Sequence, residues 1–302
     1  MDIEQEGNRI ADQIKFLTCC RLFEKLKSSP NAKSRRQILS RFLQLWENQY
    51  ATLSPTDSHP AAGRASFYPC LRLLIPEVDR ARPAYGLREA ALSRLYIKAF
   101  GIAPNGPVAQ RLNHPVYSGK GADFADILFD AVRDRCREDN ILSLKDANDL
   151  LDQLANADNS EERMDAVTQF LRSATAVEQK WMIRFIVRRH SGCGVGVASV
   201  LQCLHPAAPS LWNVTQDLRI LCQRIAEIDV HAIAGGKSHL ATPDITLFIP
   251  FRPMLCERSN SPEALCQSVA NLCSLGSVDL DTAQILLETK YDGERIQVSF
   301  KS

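Results

Sequence analysis

Up to about residue 230, apolar residues recur every third or fourth position in almost every segment, and that spacing admits little other than a packed set of helices. Ile10, Ile14, Leu17 and Phe23 keep it from about Ile10 to Leu26, and Ile38, Phe42, Leu45 and Trp46 resume it after the basic link Lys33-Ser34-Arg35-Arg36. A loop rich in Pro, Ser, Thr, Ala and His is expected from Thr52 to Gly63. Pro69 suits a first helical turn and Pro76 limits that helix. Further helices are expected through Leu92, Leu95, Tyr96 and Ala99, from Asp123 to Arg133, through Leu144 to Leu154, through Met164 to Ala174, and from Asn213 to Glu227. Pro104, Gly106, Pro107, Pro115, Gly119 and Gly121 mark a loop, and Ser143 with Asp146 three residues later forms a capping box. The stretch Asp229 to Asp244, with Gly235-Gly236 and Pro243, reads as a linker. Beyond it the composition changes: Ile245 to Leu255 is apolar and partly β-branched, and Ser261-Pro262-Glu263 starts a helix. The expected fold class is mainly α, a helical domain over residues 1–240 followed by the beginning of an α/β domain over 241–302.

Composition limits the partners. With 302 residues and a net charge of +1, the chain as a whole does not announce a polyanion partner, so any nucleic-acid surface must be a local patch. No apolar run approaches the roughly 20 residues of a membrane span, and the N-terminus lacks the basic-then-apolar order of a signal peptide, which leaves a cytosolic or nuclear protein as the default. The ten cysteines are scattered, form no C-x-x-C pair and read as reduced thiols in apolar patterns. His190 and Cys193 have the spacing of half a metal site, but no second pair follows.

One helix carries a candidate interface. Thr175 and Glu178 form a capping box, and the helix runs to His190, where Ser191 and Gly192 end it. Val177, Trp181 and Phe185 form its apolar stripe, while Lys180, Arg184 and Arg188, with Arg189, line another face. The plainer reading is a solvated face whose last-turn arginines suit the helix dipole. The turn Gly192-Cys193-Gly194-Val195-Gly196 follows and leads into another helix, so Gly194 and Gly196 would deliver backbone N–H groups to a helix start beside the stripe. Together they are expected to contact the phosphates of a duplex, with no base-reading motif in view.

The C-terminal stretch spells out chemistry. Ile285, Leu287 and Thr289 alternate with Leu286, Glu288 and Lys290, and Ile296, Val298 and Phe300 alternate with Gln297 and Ser299, as in two strands about an Asp292-Gly293 turn. A solvated hairpin would also show this pattern. The spacing Lys290-x-Asp292-Gly293-x-Arg295 arises by chance in roughly one chain of this size in several hundred. It resembles the motif of the covalent nucleotidyltransferases: ATP-dependent DNA ligases, RNA ligases and mRNA capping enzymes.

The helical part selects among them. Ser66 to Pro76, Ala84 to Glu89, Ala122 to Ala125, Val177 to Ile186, Trp212 to Leu218 and Phe251 to Leu255 are similar to the N-terminal region of the DNA ligase IV family, the ligases of non-homologous end joining. Capping enzymes share only the lysine motif. The resemblance implies an all-helical ligase-type DNA-binding domain, followed by the truncated beginning of an α/β nucleotidyltransferase domain. It also implies that Lys290 attacks the α-phosphate of ATP, releases pyrophosphate and passes AMP to the 5′-phosphate of a break, from which the 3′-hydroxyl displaces it. A free lysine has a pKa of about 10.4, so this nucleophile needs nearby positive charge or Mg2+ to favour its neutral form. By the same resemblance Glu288, Thr289 and Tyr291 surround the base, and Arg295 reaches the ribose and phosphates. The family's metal ligands and BRCT domains would follow Ser302, so no metal ligand and no BRCT scaffold contact is expected here, and the chain is not expected to ligate alone. The implied partners are ATP, Mg2+, double-stranded DNA with nicks or ends, and end-joining proteins such as Artemis on the helical domain. The implied setting is the nucleus, with no membrane. The alternative is a non-catalytic fragment that binds duplex DNA or a partner.

Overall fold

The computed structural model describes residues 3–54, 60–82, 84–114, 123–188, 192–233, 261–264 and 266–267. Among them the secondary structure is helical, with isolated β-bridges in place of a sheet. The helices are α1 (Ile3–Gln13), α2 (Phe16–Ser28), α3 (Ala32–Leu53), α4 (Pro60–Ala65), α5 (Tyr68–Leu74), α6 (Glu89–Ala99) and α7 (Pro107–Asn113). They continue with α8 (Phe124–Val132), α9 (Leu144–Asn156), α10 (Ser160–Ser173), α11 (Ala176–Arg188), α12 (Val197–Leu204), α13 (Ala208–Thr215) and α14 (Leu218–Ile233). The described residues therefore bear out the expected helical fold class. The stretch 241–302, with its strands, lies almost wholly outside the described residues; within it, Ala264 N donates to Ser261 Oγ at 3.2 Å, the cap expected there.

Local chemistry explains most boundaries. Ser143 and Asp146 form a reciprocal capping box at α9, Pro69 lies in the first turn of α5, and Pro76 opens a short 3-10 turn. Four boundaries depart from expectation. The helix expected from Ile10 to Leu26 breaks at Ile14-Lys15, where Phe16 N donates to Leu142 O at 2.9 Å and Leu144 N donates to Ile14 O at 2.8 Å. Pairing with a distant segment replaces the intrahelical bonds there. The Pro- and Gly-rich loop after α6 contains α7, with Gly106 as N-cap and Pro107 in its first turn. Thr52 and Leu53 end α3, and Pro60–Ala65 is helical within the expected loop. The last helix is two, because Gln216 adopts a left-handed φ of 45° and Asp217 accepts bonds from Arg219 N and Ile220 N.

One apolar core runs through the set. Phe23 of α2 meets Trp181 and Phe185 of α11 at ring-centroid distances of 5.1 and 5.6 Å, and Trp46 of α3 meets Phe67 edge-on at 5.2 Å. Gly7 permits the contact of α1 with the start of α5, since a Cβ there would lie 2.5 Å from the Ser66 carbonyl oxygen. A polar network crosses this core. Arg72 of α5 donates to Asp79 at 2.7 Å and to both carboxylate oxygens of Asp152 in α9, and Arg82 donates to Asp152 and Asn148. Burial alone would lower the Arg72 pKa, but these carboxylates outweigh it and raise it.

A candidate nucleic-acid interface on α3 and α12

The start of α11 is built as its sequence implies. Thr175 N donates to Glu178 Oε2 at 2.8 Å, and Glu178 N returns a long 3.4 Å contact to Thr175 Oγ1. Glu178 is fully buried, and burial pushes its carboxyl pKa up against hydrogen bonds from Thr175 and from the Leu17 backbone at the start of α2.

Two cations of the expected stripe, Lys180 and Arg184, face carboxylates of neighbouring segments rather than open solvent. Arg184 is 1% exposed; its Nε donates to Asp123 at 2.7 Å and its Nη2 to Asp126 at 3.0 Å, with the guanidinium carbon 4.4 Å from the Trp181 ring centroid. Lys180 lies 2.7 Å from Glu24 of α2 and 2.9 Å from Asp126 of α8. Asp126 also receives Lys27 at 3.1 Å. Burial would raise the Asp126 pKa, but hydrogen bonds from Lys180 and Lys27 and the Arg184 charge pull it down to about 2. In this structure these two cations are paired with Glu24 of α2, Asp126 of α8 and Asp123 at the start of α8. The side chain of Arg188, all of Arg189 and His190 lie outside the described residues. So do Glu288, Thr289, Lys290, Tyr291 and Arg295. Cys193 is buried as expected of a structural thiol, and no cluster of His, Cys, Asp or Glu among the described residues suits a metal ion.

The glycine-rich turn is ordered by a different cation. Gly192 and Gly194 have φ of 63° and 73°, conformations that glycine adopts without strain. Arg35 of α3 donates Nη1 to Gly194 O at 3.2 Å, Nε to Leu26 O at 3.2 Å and Nη2 to Ser29 O at 2.9 Å. One guanidinium thus joins the turn to the corner between α2 and α3. A Cβ on Gly194 would lie 3.0 Å from the Arg35 guanidinium carbon. The turn delivers Gly196 as the N-cap of α12, without a side-chain cap and with open space where a Cβ would be.

Beside the turn is a second basic face. The segment read as a link belongs to α3, which starts at Ala32 with Asn31 as N-cap accepting from Ser34 N at 2.8 Å. Lys33, Arg36, Gln37, Ser40 and Arg41 are all exposed and line one open depression. Their spacing of three, four, seven and eight residues is that of one helix face. α12 packs along α3 here: Cys203 is raised by burial, opposed by a hydrogen bond with Ser40 and by the charge of Arg36. No ion pair to a carboxylate joins Lys33, Arg36 or Arg41 among the described residues. Lys33 also lies in the first turn of α3, at the positive end of the helix dipole, where a cation costs the helix about 0.3–1 kcal/mol. The signal was legible in the spacing of Lys33, Arg36 and Arg41; the Asn31 cap was needed to place it on a helix.

Comparison with known proteins agrees with this architecture. The family described as DNA ligase N terminus matches residues 15–205. DNA ligase 4 of Homo sapiens is 30% identical over 306 residues, covering 99% of this chain and 31% of that protein. DNA ligase 4 of Dictyostelium discoideum is 28% identical, covering 96% of this chain and 27% of the relative, and that of Arabidopsis thaliana is 29% identical, covering 96% and 21%. The chain thus spans about a third or less of the length of these relatives. On the match to residues 15–205, a helical unit of the kind described here, the chain belongs to the DNA ligase N-terminus family and is similar to the N-terminal region of DNA ligase 4.

Proposed function

We propose that the helical unit, residues 1–240, binds duplex DNA for an ATP-dependent ligase of the end-joining type, and that residues 241–302 begin its adenylation domain. The observation that carries this reading is the similarity to the human relative over 99% of the chain, which takes in both the helices and the Lys290 motif. Lys290 is then the residue that accepts AMP, with Glu288, Thr289, Tyr291 and Arg295 around the nucleotide and Mg2+ held elsewhere in the ligase. The nucleus is the compartment this role requires.

Binding of the chain to a short blunt duplex, followed by fluorescence anisotropy across salt concentrations, tests the reading. Affinity that falls steeply and linearly on a log–log salt plot is expected; no binding at low salt would refute it. Any covalent AMP formed with ATP and Mg2+ maps to Lys290, and label on another residue would refute that assignment. A second reading, a docking surface for an end-joining protein such as Artemis, is favoured by Leu45, which is 64% exposed on α3. Its test is whether Leu45→Asp abolishes partner capture while duplex binding stays intact.

A further inference from the structure

We infer that the duplex phosphates are held by the stripe Lys33, Arg36, Gln37, Ser40 and Arg41 on α3, next to the start of α12, and that Lys180 and Arg184 of α11 take no part. This rests on the duplex-binding reading above. Lys33 and Arg36 are separated by about 4.5 Å of helix rise and Arg36 and Arg41 by about 7.5 Å, so the stripe offers cations along about 12 Å, the run of a few successive phosphates. Gln37 and Ser40 interleave hydrogen-bond donors with those charges on the same exposed face.

Three observations point to an anion. The stripe has no carboxylate partners among the described residues, unlike Lys180 and Arg184, each of which is paired with two. Lys33 runs against the dipole of its own helix, whose first turn holds no acid, so its placement gains nothing for folding. Arg35, one position away, is engaged by three carbonyls and serves as a positioning residue that fixes the glycine-rich turn beside the stripe. Charge without partners, held on a rigid helix and braced from the side, fits a polyanion that tracks past it.

The experiment compares the chain with Arg36→Gln/Arg41→Gln, using the same blunt duplex and, in parallel, a polyglutamate peptide. Removing two phosphate contacts should weaken duplex binding roughly 60-fold at about 0.1 M salt and flatten the log–log slope by about 1.8. The thermal midpoint should hold or rise, which a structural role would not allow. Alkylation of Cys203, beside Ser40, should slow when duplex is added, while that of Cys266 should not. Unchanged affinity and slope in the variant, with the parent chain binding normally, would overturn the assignment and leave the duplex-binding reading standing. Loss of peptide binding with duplex binding intact would overturn it in favour of an acidic protein partner. Failure of the parent chain to bind duplex would overturn the reading itself and this inference with it.

Discussion

Replacing Arg184 by alanine should unfold the helical unit more readily rather than weaken its grip on DNA. The side chain is 1% exposed and neutralises Asp123, itself 13% exposed, and part of Asp126. Its loss takes the Arg184 charge from the Asp123 carboxylate and removes a guanidinium stacked 4.4 Å over Trp181. Breaking a buried pair from one side costs about 3–5 kcal/mol. For a unit of this size that corresponds to a fall of about 6–20 °C in thermal midpoint. Urea denaturation followed by circular dichroism measures the loss, with a midpoint shift of about 1–2 M at an m-value of about 3 kcal/mol/M. Asp123 also caps α8 through Ala125 N, so Asp123→Asn keeps the cap and removes the charge. The double variant Arg184→Met/Asp123→Asn should therefore recover at least about 1 kcal/mol relative to Arg184→Met alone. An Arg184→Ala chain of unchanged stability and lost duplex affinity would refute this reasoning and return Arg184 to the surface.

Two further outcomes follow from the site. Gly194→Ala should cost about 1–2 kcal/mol, because alanine is strained at a φ of 73° and its methyl would press on Arg35; a thermal midpoint equal to that of the parent chain would count against the Arg35 brace. Glu178 binds its proton more tightly folded than unfolded, so relative to Glu178→Gln the parent chain should lose stability as pH rises above about 4.5, the ordinary glutamate value. Denaturation midpoints for the pair that keep a constant difference between acid and neutral pH would contradict the raised carboxyl.

Short-range chemistry was readable from the residues alone. Thr175 with Glu178 and Ser143 with Asp146 announced their helix starts, because a capping box is closed within four residues. What the residues alone leave open depends on distant partners. Lys180 and Arg184 do share a face of α11, but whether that face meets solvent is decided by Glu24 of α2 and by Asp123 and Asp126 of α8. The break between α1 and α2 likewise needs residues 142–144 on the other side of the fold. Helix α7 was concealed by proline and glycine that cap it rather than interrupt it. The basic segment at Lys33 reads as a link because the apolar spacing begins at Ile38, whereas the helix begins at Ala32, nearly two turns earlier.

The central claim, that DNA meets the stripe on α3 and not Lys180 and Arg184 of α11, is tested most directly by acetylating lysines in the presence and absence of duplex and reading each site by mass spectrometry. Lys33, exposed and without a carboxylate among the described residues, should react quickly and be protected by DNA. Lys180, paired with Glu24 and Asp126, should react slowly under both conditions. Protection that appears at Lys180 and is missing at Lys33 would contradict the account.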